Sequence, residues 1–533
     1  MAIIPKLLPM RLDSIKAINQ GGLVLQGSER YSGWKLSALM SAIVSSTLVF
    51  SPPAAAQIPS WSVDEFHAPA DPRWGQTTRD DVEAAYKLLR DNHPGGAREL
   101  HDIAFQERLN NAHNAALGRA RAVVSYQGYA AVLAGFAAGM GDKHIWSRPT
   151  FVLNVPRWAG IIVSKRGHSW LVSDTDEPRT ALRGAALISC DGEDVEDLAR
   201  KNLGGFRVDW NVGAQQAQGA PWLLVDEGNP FVTRPAACLF EHDGQRQTVK
   251  LNWMRIKRDS LLPRLQTAIG AGAAGYGIRR VGGGYWIALQ SLLSNHAADV
   301  VKAVEDQKTT LRDAPFVVLD MRGNSGGSSS FGRQIAASLL GPAAVEARLG
   351  PEDTSACEEA WRASESNINN LDFLLRSGTV YTTPETLKIG ETQLREMRAA
   401  RGRGKAFSSQ VYCPDALEKP ALAAQPPSLM KGRLLLLTDS LCFSSCLLVT
   451  DDFLTLGAFH VGQTTDAATH YLEVREEYLP SGYSMFSTLQ AIDPGSPYQV
   501  GPFEPELVYD GDIADTRALE AWVVATAVPA SQK

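Results

Sequence analysis

A serine follows a short apolar strand at a position where a nucleophile could lie. Four consecutive leucines, Leu434 to Leu437, predict a strand buried on both faces. A turn of small polar residues comes next, and apolar residues then recur at helical spacing. Ser444 would therefore precede a helix, whose N-terminal N–H groups favour a developing oxyanion. The stretch by itself leaves open that Ser444 only caps the helix, a role that serine often has.

Two histidines could supply the base that such a nucleophile needs. His144 stands in the polar turn Gly141-Asp142-Lys143-His144, which follows an alanine-rich helical run. His470 lies 26 residues after Ser444. Imidazole titrates close to pH 6.5, so either side chain could accept a proton near pH 7. A lone histidine is more often structural than chemical, and neither residue identifies itself as the base.

A glycine-rich turn lies between a second buried strand and a helix. The strand is Phe316–Asp320, and Gly323-Asn324-Ser325-Gly326-Gly327 follows it. Glycines at such a junction allow backbone N–H groups to face a phosphate or an oxyanion. The turn lacks the Lys-Ser/Thr ending of a phosphate loop and the spacing of a dinucleotide fingerprint, so nucleotide binding is not predicted. The glycines could also serve only close packing of the helix on the strand.

The elements that would position these residues fall into three regions after an N-terminal signal. Residues 57–150 have a helical pattern, residues 155–255 have short strands, and residues 275–533 alternate strand and helix. The alternation predicts an α/β fold. An insertion at 341–430, rich in charge and proline, interrupts it and could form a lid over a cleft.

The first 56 residues have the order of a secretory signal. Lys35 precedes about fifteen mostly apolar residues, and Ala54-Ala55-Ala56-Gln57 supplies small residues for cleavage. A membrane span would need about 20 apolar residues, so a cleaved signal is favoured over an anchor. We therefore expect a periplasmic or secreted protein without stable membrane insertion. The formal net charge of −6 and the lack of a basic patch argue against nucleic acid as a partner.

Six cysteines in an exported chain of 533 residues permit three disulfides. Their wide spread, with no histidine pair at ligand spacing, argues against a zinc site. The sequence does not determine the connectivity. Neighbourhood along the chain suggests the pairs Cys190–Cys238 and Cys357–Cys413.

Several of these segments resemble motifs of the C-terminal processing (tail-specific) serine peptidases, in the branch close to the tricorn protease core. The stretch 319–327, Leu-Asp-Met-Arg-Gly-Asn-Ser-Gly-Gly, matches the family's L-D-L-R-G-N-x-G-G. The stretches 461–465 and 504–508 match V-G-E-x-T and x-P-D-x-x-V, and 141–144 resembles the x-D-G-H-T turn. Residues 183–195 resemble a segment of PDZ domains, which bind peptides by strand addition. The resemblance covers residues 78–525.

The resemblance implies an α/β fold with a crotonase-like core, an N-terminal helical region and an inserted PDZ-like β module. It implies a serine-type endopeptidase that needs no cofactor or metal and cleaves protein or peptide substrates through an acyl-enzyme. Ser444 would be the nucleophile, and the N–H of Ser445 with one from Gly326 or Gly327 would form the oxyanion hole.

The identity of the base separates this chain from most tail-specific relatives. Those enzymes pair the serine with a lysine, and that position is Thr469 here, next to His470. The tricorn-like branch uses an early histidine, which corresponds to His144, with a distant glutamate for which Glu504 is the candidate. Asp142 is a carboxylate nearer to His144 in sequence. We expect His144 to be the base and His470 to be the alternative.

Two other classes of function remain compatible with the sequence. A catalytically inactive relative could use the same fold as a ligand- or peptide-binding module, as the retinoid-binding repeats that resemble this family do. A structural scaffold could use the PDZ-like module to assemble partners. Labelling by a fluorophosphonate probe would separate an enzyme from both.

Overall fold

The structure is a computed structural model that describes residues 70–152, 154–293, 295–350, 359–411 and 426–527. The predicted signal region 1–56 and the predicted pair Cys357–Cys413 lie outside these residues. The described chain begins with three helices, Arg73–Asn92, Ile103–Ala120 and Tyr126–Ala138. Among the described residues, no helix is both long and apolar enough to cross a membrane.

A β module follows the N-terminal helices. Its main sheet is antiparallel, and its strands are, in spatial order, Ile161–Arg166, Ser169–Thr175, Ala186–Cys190, Ala237–His242 and Gln245–Lys250. The residues Asp191 and Gly192 turn the chain with positive φ, as the Asp-Gly signal predicts. Cys190 and Cys238 lie opposite each other on adjacent strands and form a disulfide, which confirms this predicted pair. Helices Val195–Asn202, Gly213–Gly219 and Arg258–Ala268 complete the region.

The central sheet carries the two junctions that the sequence singles out. Its strands are, in spatial order, Tyr276–Val281, Gly284–Leu289, Phe316–Asp320, Arg433–Thr438, Phe459–Gly462 and Leu507–Val508. The first pair is antiparallel and the other four pairings are parallel. The predicted strands at 316–320 and 434–437 are therefore neighbours, and the turns that follow them meet at one edge of the sheet.

Helices cover both faces of this sheet. One face packs against Asn295–Asp306, Lys308–Arg312, Ser330–Leu340, Pro342–Leu349 and Ser445–Thr455, and the other against Thr516–Thr526. Every residue of Phe316–Asp320 is buried, as are five of the six in Arg433–Thr438. Burial on both faces explains why these strands are continuous apolar runs rather than alternating ones. The mixed α/β architecture agrees with the predicted fold class at this level.

A further sheet brings together segments that are distant in sequence. Its central strand, Ser484–Ile492, is buried along its whole length and pairs with Ser147–Pro149, Ala360–Trp361 and Tyr471–Tyr478. The helices Glu365–Ser377 and Pro384–Gly402 of the predicted insertion pack against this sheet through Leu472 and Ala491. The described part of the insertion is thus a packed layer of the molecule. The strand Ser484–Ile492 pairs with the segments that follow His144 and His470, and so brings these two residues close together.

Candidate active site

Ser444 adopts a backbone conformation that residues other than glycine rarely take. It stands at the N-cap of helix Ser445–Thr455 with φ +57° and ψ −131°, and its side chain makes no capping hydrogen bond. The capping role that the sequence left open is therefore not what its hydroxyl does. A residue in such a conformation costs of the order of 1–3 kcal/mol, and such strain concentrates at functional sites. A sharp, strained turn between a strand and a helix is also the place of the nucleophile in α/β-hydrolases.

The glycine turn packs directly on the Ser444 turn. The Phe443 N–H donates to the Asn324 carbonyl at 3.2 Å, and the Ser445 hydroxyl donates to the Gly327 carbonyl at 2.6 Å. A Cβ added to Gly326 would lie 2.8 Å from the Ser444 Cβ, so only glycine fits there without displacement. The two turns therefore hold each other in place at the carboxyl ends of adjacent strands.

The backbone N–H groups around Ser444 are not equally available. The Gly326 N–H donates to the Asn324 side-chain oxygen at 2.9 Å. The Ser445 and Gly327 N–H groups make no hydrogen bond within the described residues. Of the two glycines suggested by sequence, Gly327 therefore has the free donor and Gly326 does not.

Asp439 connects the two turns from below. Its carboxylate accepts the Gly323 N–H at 2.9 Å and the Leu441 N–H at 3.0 Å. Burial raises the pKa of this carboxyl to about 7, although the two N–H bonds act in the opposite direction. Asp439 thus ties the start of the glycine turn to the start of the Ser444 turn.

His144 is held by a carboxylate two residues before it. Its Nδ1 lies 2.9 Å from Asp142 Oδ1, and its backbone N–H donates to the same oxygen at 2.9 Å. Burial alone would raise the pKa of Asp142, but the charge and hydrogen bonds of His144 and the hydrogen bond from Thr469 hold it well below its usual range. An ionised Asp142 only accepts hydrogen bonds, so Nδ1 carries the proton and Nε2 is left as the acceptor.

Thr469, which corresponds to the lysine of the tail-specific peptidases, also contacts Asp142. Thr469 donates its hydroxyl to Asp142 Oδ2, the carboxylate oxygen that does not face His144 Nδ1. His470 lines the same cavity, and its buried Nε2 has no hydrogen-bond partner among the described residues. Burial lowers the pKa of His470. Asp142 therefore bonds both His144, the residue that corresponds to the tricorn-like base, and Thr469, the residue at the lysine position.

Glu504 does not lie with this group. Its side chain is exposed, and its backbone is next to His460 on the central sheet rather than next to His144. The carboxylate in contact with His144 is Asp142, so the structure corrects the expected acidic partner. The nearness of Asp142 in sequence was the signal for this partner, because a carboxylate two residues away can bond both the ring and the backbone.

Lys143 is directed toward the β module. Its ammonium donates to Gln218 Oε1 at 2.6 Å and to Asp466 Oδ2 at 3.0 Å, and lies 4.8 Å from the centre of the Phe443 ring. Asp466 also accepts from Gln215 and Gln218. With two acceptors on its ammonium, Lys143 is a structural cation here and is not positioned as a base.

One open cavity of about 260 Å³ joins these residues. Ser444, His144 and His470 all line it, and so do Gly327 and Ser445. The His144 ring also contacts the Phe443 ring, with 4.4 Å between their centres. No hydrogen bond joins the Ser444 hydroxyl to either imidazole in the described part of the chain. Within that same part, no group of three or more His, Cys, Asp or Glu side chains is placed to hold a metal ion.

Solved structures share this fold. No protein-family model and no curated protein matches the chain by sequence. The structure of mature CPAF complexed with lactacystin matches 85% of this chain and 98% of its own, with 14% identity and a TM-score of 0.57. A second structure of mature CPAF matches with 14% identity and a TM-score of 0.56, over 85% of this chain and 97% of its own.

A structure named as the photosystem II D1 C-terminal processing protease also matches, over 85% of this chain and 99% of its own. Its identity of 12% and TM-score of 0.33 are too low to support an argument by themselves. Structures named as a C-terminal processing protease and as a putative S41 protease are among the neighbours of this chain. The likeness to CPAF establishes the fold.

Proposed function

We propose that this chain, which has the fold of CPAF, is a serine-type endopeptidase that cleaves protein or peptide substrates through an acyl-enzyme on Ser444. One observation carries the proposal. Ser444 has a strained backbone, an uncapped hydroxyl and a helix N-terminus beside it, in a cavity that also contains a histidine bound to a carboxylate. A nucleophilic serine needs an adjacent base, and a strained turn before a helix is typical of nucleophile elbows, whereas a helix cap needs neither.

In the proposed first step, the Ser444 hydroxyl attacks the carbonyl carbon of the peptide bond and transfers its proton to His144 Nε2. Asp142 keeps the ring in the tautomer that leaves Nε2 free, and it stabilises the imidazolium that forms. The oxyanion accepts hydrogen bonds from the N–H groups of Ser445 and Gly327. Loss of one such donor typically costs about 10²–10³ in rate.

In the following steps, the imidazolium gives its proton to the leaving amine, and water then hydrolyses the ester on Ser444. The serine and the imidazole do not share a hydrogen bond in the structure without substrate. Catalytic hydrogen bonds are often long in the free enzyme and shorten when substrate binds, so this distance is compatible with the proposed roles.

The base is tested with matched single variants. We expect His144→Ala to lose about as much activity on an unstructured peptide as Ser444→Ala, because members of one catalytic unit have non-additive effects. His470→Ala should retain most of the activity. Circular dichroism would check that each variant is folded.

Other results would change the assignment. Loss in His470→Ala with retention in His144→Ala would move the base to His470. A folded wild-type chain that cleaves no peptide and does not react with a fluorophosphonate probe would support the binding-module alternative. No feature of the described residues favours that alternative or a scaffold over an enzyme.

We also propose that the central region is crotonase-like and the β module PDZ-like. The segment 183–195 supports the second part, because it forms a strand, an Asp-Gly turn and the start of a helix in the expected order. Titration of the β module's resonances with C-terminal peptides in the full chain would test whether it binds them.

Export is a proposal as well. The order of charge, apolar core and small residues before Gln57 supports it, and so do the two disulfides among the described residues, since such bonds persist in oxidising compartments. Mass spectrometry of secreted or periplasmic material should find a mature N-terminus near Gln57. An uncleaved cytosolic chain would contradict the proposal.

A further inference from the structure

A disulfide encloses the proposed nucleophile. Cys442 and Cys446 are four residues apart and are bonded to each other, which leaves Ser444 as the middle residue of a closed loop of five. Both cysteines are fully buried. Neighbourhood along the chain had suggested two other pairs, Cys190–Cys238 and Cys357–Cys413.

Each end of the loop is fixed to a different part of the core. The Cys442 N–H donates to the Asp439 carbonyl at 3.1 Å, and its own carbonyl accepts the Asp466 N–H at 3.0 Å. Cys446 lies in the first turn of helix Ser445–Thr455, and its N–H donates to the Phe443 carbonyl at 3.2 Å. The disulfide therefore joins the segment after the strand to the start of the helix.

The bond acts where the backbone is strained. A residue remains in such a conformation only when the surrounding structure determines it from several sides. The glycine turn contacts Ser444 from one side, and the disulfide limits the angle between the strand end and the helix from the other. Without the disulfide, Ser444 could relax toward an ordinary conformation in which its hydroxyl no longer faces the cavity.

Structural support alone does not account for the position of this bond. In the chain-entropy view, a disulfide stabilises more when it closes a longer loop. Cys442–Cys446 has a sequence separation of only 4, whereas Cys190–Cys238 has one of 48. The helix also has its own packing, since Leu447, Val449 and Phe453 are fully buried. The short disulfide is therefore placed to control local geometry more than global stability.

We propose that the Cys442–Cys446 disulfide positions the Ser444 hydroxyl for attack and that its reduction by a dithiol lowers the peptidase activity. The inference rests on the proposed function of Ser444. In the reduction, one thiolate of the dithiol attacks a protein sulfur to give a mixed disulfide, and the second thiol displaces it. Two protein thiols and one cyclic disulfide of the reductant result, so atoms and electrons balance.

The test compares two double variants of the full chain, Cys442→Ala with Cys446→Ala, and Cys190→Ala with Cys238→Ala. We expect the first to lose about 5- to 150-fold in kcat with little change in KM. This is the factor by which the population of molecules with the strained Ser444 conformation would fall if the strain were released. We expect the second to keep its kcat and to lose more in Tm. A bond that served structure alone would not give this split between kcat and stability.

A reductant titration gives a second measurement. Dithiothreitol should lower fluorophosphonate labelling of the wild type in step with the release of the Cys442 and Cys446 thiols, which are counted by alkylating a denatured sample. Reoxidation of the remaining, unalkylated protein should restore the labelling. The Cys190/Cys238 variant should respond in the same way. Unchanged kcat in the Cys442/Cys446 variant, or full activity of wild type whose Cys442 and Cys446 are both reduced thiols, would overturn the inference.

The two proposals fail in different ways. A wild-type protein that neither cleaves peptide nor labels with the probe removes the proposed function itself. A wild type and a Cys442/Cys446 variant that are equally active leave the peptidase in place and remove only the positioning role.

Discussion

At the scale of single residues, His144 receives its orientation from Asp142. One carboxylate oxygen binds both the Nδ1 and the backbone N–H of His144, and the other accepts the Thr469 hydroxyl. This arrangement fixes the ring position and its tautomer at once. The proposed base therefore depends on a residue that has no contact with substrate in the proposed mechanism.

We predict that Asp142→Asn lowers kcat by about 10²–10⁴, because an asparagine can present an N–H to Nδ1 and favour the wrong tautomer. Glu504→Gln should leave kcat within about twofold, since Glu504 is exposed and does not line the cavity. Steady-state kinetics on one peptide would compare the two. A larger loss in Glu504→Gln would return the acidic role to that residue.

Gly326 gives a second prediction at this scale. Gly326→Ala should lower activity by about 10²-fold, since its Cβ would lie 2.8 Å from the Ser444 Cβ and displace the nucleophile. Gly404→Ala is the matched control, because Gly404 also has positive φ but has open space where a Cβ would go. Equal activities in the two variants would show that the close approach at Gly326 is unimportant.

At the scale of elements, the sheet beside the cavity contains two carboxyls with few neighbouring groups to stabilise a negative charge. Glu359 precedes the strand Ala360–Trp361, and Glu473 lies within Tyr471–Tyr478 with φ +61°. Burial and the nearby Glu359 carboxyl raise the pKa of Glu473 well above the usual range. Burial raises the pKa of Glu359 to about 7, and the Trp361 side chain donates to it at 3.2 Å. Neither carboxyl has an ion-pair partner among the described residues.

These shifts have a defined sign for stability. A carboxyl whose pKa is higher in the folded state imposes no penalty below about pH 4.5, its unfolded value, and a growing penalty as pH rises through about 7. We predict that Glu359→Gln raises the free energy of unfolding by about 1–3 kcal/mol at pH 8 and changes it little at pH 4.5. Denaturant unfolding at both pH values would measure this.

A control for this prediction is Glu391→Gln, on the exposed surface of helix Pro384–Gly402. It should leave the free energy of unfolding within about 0.5 kcal/mol of the wild type at either pH. If Glu359→Gln destabilises at pH 8, its carboxylate is compensated and the burial argument is wrong.

At the scale of the whole molecule, a buried carboxylate connects the β module to the central region. Asp466 accepts hydrogen bonds from Lys143, Gln215 and Gln218, and the two glutamines belong to the module's helix Gly213–Gly219. Gln218 also donates to the Ser440 carbonyl, just before the Ser444 turn. The module, the His144 turn and the Ser444 turn are therefore joined at one place.

We predict that Asp466→Ala lowers the free energy of unfolding by about 1–3 kcal/mol, because it leaves buried donors without their acceptor. Hydrogen exchange should rise in helix Gly213–Gly219 while strand Phe316–Asp320 stays protected. Glu241→Ala, which breaks an exposed pair with Arg246, should change stability by less than about 1 kcal/mol. Unchanged exchange in the helix of Asp466→Ala would mean that other contacts hold the module.

The sequence by itself determined the parts of this protein that depend on local pattern. The apolar runs at 316–320 and 434–437 predicted strands that are adjacent in the structure. That the glycine and serine turns after them act together was implied by the resemblance to tail-specific peptidases. Neighbourhood along the chain suggested the pair Cys190–Cys238, while the sequence left the connectivity open. Such features arise from short-range preferences and periodicity, which a single sequence displays.

The tertiary structure decided which partners these residues have. It chose Asp142 over Glu504 beside His144, and it engaged the N–H of Gly326 but not that of Gly327. It also placed Thr469 on Asp142 across a separation of 327 residues. When several groups could bond the same partner, differences of a few tenths of an ångström in distance decide which of them does. Packing between distant segments sets those distances, so no local pattern contains them.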